Sequence, residues 1–239
     1  MRYLFVSDLH LTETRSDANE AFFEFAEGEA RKADALYILG DLFEYWIGDD
    51  DLADPFNSVI AGFLQSLSKS GVKLFAMHGN RDFLFGERFC QTTGAVLLED
   101  PTVIELDGID TLVMHGDTLC TDDLDYHAWR RTARSAAWQE EFLARSIEER
   151  RRQIVALRDK SREVTQGKPA AIMDVNEGAV KEAFRRHRVA RLVHGHTHRP
   201  GHHTLDIDGH ACERWVLPDW YGRGGYLALD KGTARLVRF

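Results

Sequence analysis

Short apolar runs and amphipathic stretches alternate along most of this chain, and each predicts an element. Tyr3-Leu4-Phe5-Val6 reads as a short buried strand with Ser7-Asp8-Leu9-His10 at its C-terminal end. Residues 18–30 read as a helix with Phe22, Phe25 and Ala26 on one side, and residues 35–39 as a second strand ending at Gly40-Asp41. Phe56, Val59, Ile60, Phe63, Leu64 and Leu67 recur at helical spacing, which predicts an amphipathic helix that Gly71 stops. A third strand over 72–77 runs into His78-Gly79-Asn80-Arg81-Asp82, and a fourth over 111–114 runs into His115-Gly116-Asp117. After a helix at 179–187, a fifth strand, Arg191-Leu192-Val193, runs into His194-Gly195-His196-Thr197-His198. The tail reads as strands at 215–217, 225–229 and 234–239 between Gly-rich turns.

Five times, then, an apolar strand ends and Asp, His or Asn follows within a few residues. In α/β sheets ligands gather beyond the carboxyl ends of the strands, so these loops can converge on one place. The inventory is Asp8, His10, Asp41, Asn80, His115, His196 and His198. Singly, an Asp-x-His pair is also a capping pair and Gly-Asp an ordinary turn; five such clusters together point to a shared metal site. Asp, Asn and His without Cys suit Mn²⁺, Fe²⁺, Mg²⁺ or Zn²⁺. Seven ligands exceed what one ion takes but suit two ions sharing a carboxylate, which can activate a bridging water and clamp an in-line displacement at phosphorus.

Composition narrows the reading. The 239 residues are 44% hydrophobic, enough for a substantial core. The net charge of −9 argues against general nucleic-acid binding. Cys90, Cys120 and Cys212 are odd in number and widely spaced, which fits reduced thiols rather than a disulfide framework. No apolar run approaches a membrane span, the N-terminus carries no secretory h-region, and no feature calls for an obligate protein partner.

Asp8-Leu9-His10, Gly40-Asp41, Gly79-Asn80-Arg81-Asp82, His115-Gly116-Asp117 and Gly195-His196-Thr197-His198 resemble the five motifs of the calcineurin-like metallophosphoesterases. The resemblance implies an α/β fold of two sheets in a β-sandwich flanked by helices, one domain over 1–239 with the metals at one edge. It gives Asp8, His10, Asp41 and His198 to one ion, and Asp41, Asn80, His115 and His196 to the other. The broad family usually has His after the Asn; here Arg81 stands instead. Arginine is a poor general acid but a good phosphate clamp, which favours an anhydride with a phosphate leaving group over a phosphomonoester.

Residues 127–168 read as helical and carry eleven Lys or Arg against six Asp or Glu, interleaved with apolar residues such as Trp129, Trp138, Phe142, Ile154 and Leu157. One reading is a helical hairpin buried on the core with a solvated arginine face. The other is a cap, spanning 123–170, that holds acyl chains inside and meets an anionic membrane surface outside. With Arg81, the cap, Lys160-Ser161, Lys168 and Ile172-Met173-Asp174-Val175-Asn176, the chain resembles the branch of the family that cleaves a UDP-linked diacylated glucosamine lipid. That resemblance implies release of UMP and a diacylglucosamine 1-phosphate with two Mn²⁺, at the cytoplasmic face of the bacterial inner membrane. It places catalytic roles on Asn80, Arg81 and His196, and substrate contacts on Asn80, Arg81, Asp123, Ser161, Lys168 and His196. A further contact, usually an asparagine, falls on Thr165. A soluble nucleoside-diphosphate-sugar or cyclic-nucleotide hydrolase remains the alternative. Asp82 and Asp117 are expected to orient Arg81 and His115. His78, His194, His127, His187, His202, His203 and His210 are expected to lie off the site, Trp215, Trp220 and Tyr221 to be core or turn aromatics, and Asp49-Asp50-Asp51 a solvated loop.

Overall fold

A computed structural model describes residues 1–167, 172–222 and 224–239, with their side chains except those of 162 and 164–166. The strands are β1 (Arg2–Val6), β2 (Ala35–Ile38), β3 (Lys73–Met77), β4 (Ala95–Leu98), β5 (Thr102–Leu106), β6 (Ile109–Val113), β7 (Arg191–His194), β8 (Gly201–Ile207), β9 (His210–Val216), β10 (Gly225–Asp230) and β11 (Thr233–Arg238). One sheet has the order β11-β10-β1-β2-β3-β4 and the other β5-β6-β7-β9-β8. The helices are α1 (Ser16–Glu27), α2 (Pro55–Lys69), α3 (Glu87–Thr93), α4 (Leu124–Ala133), α5 (Ala136–Leu143), α6 (Ile147–Gln166) and α7 (Glu177–His187).

The two-residue period of each strand divides its side chains between layers. Tyr3 and Phe5, Tyr37, and Met77 join Val113, Val193 and Trp215 in the core between the two sheets. Leu4 and Val6, Leu36 and Ile38, and Leu74 and Ala76 point the other way, into a core shared with Phe22, Phe25, Ile60 and Leu64 of α1 and α2. On the outer face of the second sheet, Leu112 and Leu192 pack with Val180 and Phe184 of α7. The result is the two-sheet sandwich flanked by helices. Within the first sheet, Phe5, Tyr37 and Phe75 are in register on adjacent parallel strands. Their rings stack at centroid distances of 4.8 Å and 4.6 Å, which fixes strand order as well as burying area.

β1, β2 and β3 run parallel, and so do β6 and β7. Their C-terminal ends therefore deliver the polar loops to one edge of the sandwich. The sequence reading did not contain α3, β4, β5 or β8, and the expected helical stretch from residue 127 begins earlier and is three helices, α4 to α6.

The acidic run before α2 is not a solvated loop. Asp49 accepts from the Trp46 indole at 3.2 Å and from the backbone N–H of Gly86 and Phe89 at 3.0 and 2.9 Å. Asp50 pairs with Arg150, and Asp51 with Arg151 at 2.6 Å. Arg151 also meets Asp54, the N-cap of α2, at 2.8 Å. Arg150 is 2% exposed and also donates to the Ile47 carbonyl. Gly48, at φ +126°, makes room: a Cβ there would sit 2.6 Å from an Arg150 guanidinium nitrogen. Paired arginines thus fasten α6 to the body, and the helices' basic residues do not form one solvated face. Arg150→Met keeps the apolar stem and removes these bonds, leaving a half-exposed Asp50 that water can solvate. We expect a loss of about 1–3 kcal/mol, read as a lower urea midpoint at unchanged m, with earlier tryptic cleavage within α6.

Candidate metal centre

The loops that end these strands are tightly constrained. Asp8, His10, Asp41, His196 and His198 all have φ between 51° and 68°. Left-handed backbone costs an ordinary residue about 1–2 kcal/mol, so five such residues at one edge need strong local compensation. Among the described residues, the other four non-glycine residues in this region sit in ordinary turns: Asp107, Asp208 and Lys231 before glycines in tight hairpins, and Arg188 at the end of α7. Glycines let the loops close on one another. A Cβ at Gly79 would fall 2.0 Å from Asp41 Oδ1, and one at Gly195 would fall 2.0 Å from Ser7 Oγ and 2.3 Å from Asp8 Oδ2.

Each buried carboxylate has one oxygen fixed by the chain. Asp8 Oδ2 accepts from Ser7 Oγ at 2.5 Å and from the His196 N–H at 2.8 Å, and Asp41 Oδ1 accepts from the Arg81 N–H at 2.8 Å. Asp8 Oδ1 is left buried without a hydrogen bond, 3.4 Å from His198 Nε2 and 3.9 Å from His10 Nε2. His10 Nε2 is likewise buried and unbonded, 3.8 Å from Asp41 Oδ2. On the other side His115 Nε2 is 3.9 Å from Asp41 Oδ1, and Asn80 Oδ1 lies 2.9 Å from both His115 Nε2 and His196 Nδ1. All seven residues therefore meet in one cluster. Ligand atoms of Asp8, His10 and His198 lie within 4.8 Å of one another, as do those of Asp8, Asp41 and His115. Orphaned buried donors and acceptors are costly; Asp8 Oδ1 and His10 Nε2 face their neighbours across 3.4 to 3.9 Å without a hydrogen bond, gaps that two ligand bonds of about 2 Å would span. The residues fit divalent cations.

The surrounding groups set the charge states. Burial pulls His10 down to about 4. It does the same for His196, also to about 4, with the His115 charge adding to it. Both are thus held as neutral imidazoles suited to ligation. Burial opposes protonation of His115 too, but Asp41 and Asp8 outweigh it and raise it to about 9 in the metal-free protein. Its Nδ1 lies 2.9 Å from the Leu39 carbonyl, which turns Nε2 towards Asn80.

Two expected orienting roles differ. Asp82 does not serve the Arg81 guanidinium. Its carboxylate accepts from the backbone N–H of Gly79 at 2.9 Å, Asp41 at 3.1 Å and Leu42 at 2.7 Å, tying the second ligand loop to the third. Asp117 accepts from the Tyr126 hydroxyl and from Arg130 Nε at 2.7 Å, so it anchors α4, while the His115 N–H donates to Asp100 at 3.2 Å.

Beside the cluster a cleft opens between the body and α4 and α6. Asn80, Arg81 and Ser161 line it together with Glu44, Tyr126 and Arg158; Phe83, Trp129, Ile154 and Leu157 form its apolar wall. Asp123 caps α4, accepting from the Tyr126 N–H at 3.0 Å. Lys168 lies outside the described residues, and so does the side chain of Thr165. His78 and His194 bond main-chain carbonyls, of Phe85 and Gly195, rather than the cluster. Tyr221, expected in the core or a turn, is 49% exposed and lies against His10 and His198 at ring distances of 4.9 and 5.4 Å. Sequence reasoning also missed Glu44, Tyr126 and Arg158. The one available signal was the seven-residue spacing of Arg151 and Arg158, which puts both on one helix face.

The sequence matches the family model for calcineurin-like phosphoesterases over residues 1–200. It is 49% identical to a UDP-2,3-diacylglucosamine hydrolase from Aromatoleum aromaticum, covering 100% of this chain and 98% of that protein. It is 45% identical to proteins of the same name from Escherichia coli O157:H7, covering 100% and 99%, and from Aliivibrio fischeri, covering 95% and 94%. A dimetal phosphatase from Danio rerio shares the fold at a TM-score of 0.52 and 12% identity, over 95% of this chain and 91% of that one. With its five strand-end motifs gathered at one edge of the sandwich, the chain belongs to the calcineurin-like phosphoesterase family.

Proposed function

We propose that this protein hydrolyses the pyrophosphate bond of UDP-2,3-diacylglucosamine to UMP and 2,3-diacylglucosamine 1-phosphate. The observation that carries the reading is the composition of the cleft. Asn80 and Arg81 offer a phosphate end, and Trp129, Ile154 and Leu157 offer an acyl end in the same cavity. Similarity to UDP-2,3-diacylglucosamine hydrolases along the whole chain supports the same substrate.

In this reading Asp8, His10, Asp41 and His198 hold one ion, Asp41, Asn80, His115 and His196 hold the other, and both ions are Mn²⁺. Bound there, two divalent ions supply Lewis-acid stabilisation of charge at phosphorus and lower the pKa of water. The chain's own groups do the rest. Asn80 turns Oδ1 to the two imidazoles, which leaves its amide N–H groups as donors for a phosphoryl oxygen. Arg81 offers a planar fork to the departing phosphate. His196 is both ligand and substrate contact, and Asp123, Ser161, Thr165 and Lys168 extend the contacts along residues 123–170, which act as a cap within a single domain.

No helix among the described residues is long and apolar enough to cross a membrane. Leu124, Trp129, Leu143 and Val155 are nevertheless exposed on α4 to α6, and the substrate is a lipid. We therefore propose peripheral association of this segment with the cytoplasmic face of the bacterial inner membrane.

The test of the substrate is a Mn²⁺ assay comparing UDP-2,3-diacylglucosamine with unacylated UDP-sugars, cyclic nucleotides and a lipid-matched alkyl phosphate. The diacylated anhydride should be cleaved far faster than all the others. Equal or faster turnover of an unacylated UDP-sugar or cyclic nucleotide returns the soluble-hydrolase alternative. Asp41→Ala should abolish turnover and lower the metal content measured by plasma emission; near-normal activity with two ions bound sinks the shared-carboxylate assignment. Arg81→Lys keeps the charge but loses the fork, so kcat should fall roughly 10- to 100-fold with KM little changed. A rise in KM alone would make Arg81 a ground-state binding group.

A further inference from the structure

Glu44 lies in the loop after β2, is 7% exposed, and receives groups from three distant parts of the chain. Its Oε2 stands 3.1 Å from Nδ1 of His10, in the loop after β1. The Tyr221 hydroxyl, from the loop before β10, donates to the same oxygen at 3.3 Å. Arg158 of α6 forms an ion pair with Oε1. Neither ring nitrogen of His10 makes a hydrogen bond: Nε2 faces Asp8 and Asp41, and Nδ1 has Glu44 beside it. Glu44 and Arg158 also line the cleft that holds Asn80 and Arg81.

The group beside the second nitrogen of a metal-ligating imidazole fixes its tautomer and ring orientation, and a carboxylate there raises its basicity. The two oxygens of Glu44 divide this work from the anchoring of α6. We propose that Glu44 is a positioning residue that joins the metal centre to the cap: one oxygen orients His10, the other seats Arg158, and ion binding and closure of α6 over the cleft favour each other. The inference rests on the ligand role proposed above for His10. Coupling of this kind is reciprocal, so an ion at His10 steadies α6, and a ligand that holds α6 down tightens the ion. Glutamine replaces one of the two oxygens with an NH₂ donor, so it cannot offer acceptors at both the His10 and the Arg158 positions.

The test combines calorimetric titration of the metal-free full chain with Mn²⁺ and hydrogen exchange of the α6 amides. In the wild type, Mn²⁺ should slow exchange along α6. Glu44→Gln should weaken one of the two Mn²⁺ ions about tenfold or more, leave the other near its wild-type affinity, and lose the slowing. Arg158→Met should still bind two ions but lose the slowing. Wild-type affinity for both ions in Glu44→Gln, or undiminished slowing in Arg158→Met, overturns the joint. His10→Ala separates this from the ligand reading. If His10→Ala binds both ions normally, the ligation fails and the inference falls with it; if it loses an ion that Glu44→Gln keeps, only the joint is wrong. Should Glu44→Gln not fold, Glu44→Asp, with its carboxylate drawn back by one methylene, carries the same readouts.

Discussion

Asp8 and Asp41 are buried carboxylates lying close together, 0% and 2% exposed. Removing a carboxylate from water costs several kcal/mol even after the protein relaxes, and two near each other also repel. Most of the local architecture answers that constraint. Hydroxyl and backbone N–H donors reach one oxygen of each, which requires loops that fold back on themselves in left-handed conformations. Glycines at 40, 79 and 195 remove the side chains that would keep those loops apart. Four imidazoles gather around them, and Asp8 Oδ1 and His10 Nε2, buried without hydrogen bonds, are atoms that a cation would satisfy.

The sequence exposed the part of this arrangement that is local. The candidate ligand side chains follow apolar runs by one to five residues, and the strands they terminate are largely buried on both faces, so pattern and chemistry coincide. Elements whose signal depends on context escaped. β8 is a largely exposed edge strand with two adjacent histidines and little apolar content, so it resembles a loop until β9 pairs with it. The role of Glu44 depends on His10, Arg158 and Tyr221, none of which is its neighbour in sequence. The Asp49-Asp50-Asp51 run looked solvated because its arginine partners lie 100 residues away. Asp82 carried a similar trap: its position beside Arg81 suggested a partner, whereas its carboxylate collects the backbone of two loops.

The arginines of α4 to α6 act mainly as attachments. Arg130 reaches Asp117, Arg134 the Gly79 carbonyl, Arg150 and Arg151 the acidic run, and Arg158 Glu44. Several of these body partners lie within or next to the ligand loops. The helices over the cleft are therefore held by the same segments that shape the metal centre, and disturbance of one reaches the other through short, charged contacts. Trp138 and Phe142, stacked at 4.8 Å, add an apolar contact between α5 and the core.

The metal centre joins distant parts of the chain. β1 pairs on one side with β2 and on the other with β10. Asp8 takes the N–H of His196, 188 residues away, and its own carbonyl accepts from Trp220. During synthesis the first ligand loop leaves the ribosome early, but its partners emerge only when nearly all of these residues have been made. A half-made chain presents Asp8, His10, Asp41, Asn80 and His115 without His196 and His198, and β1 without its second neighbour. Assembly of the centre therefore has to wait for His196, Trp220 and β10, however early β1 to β3 pair.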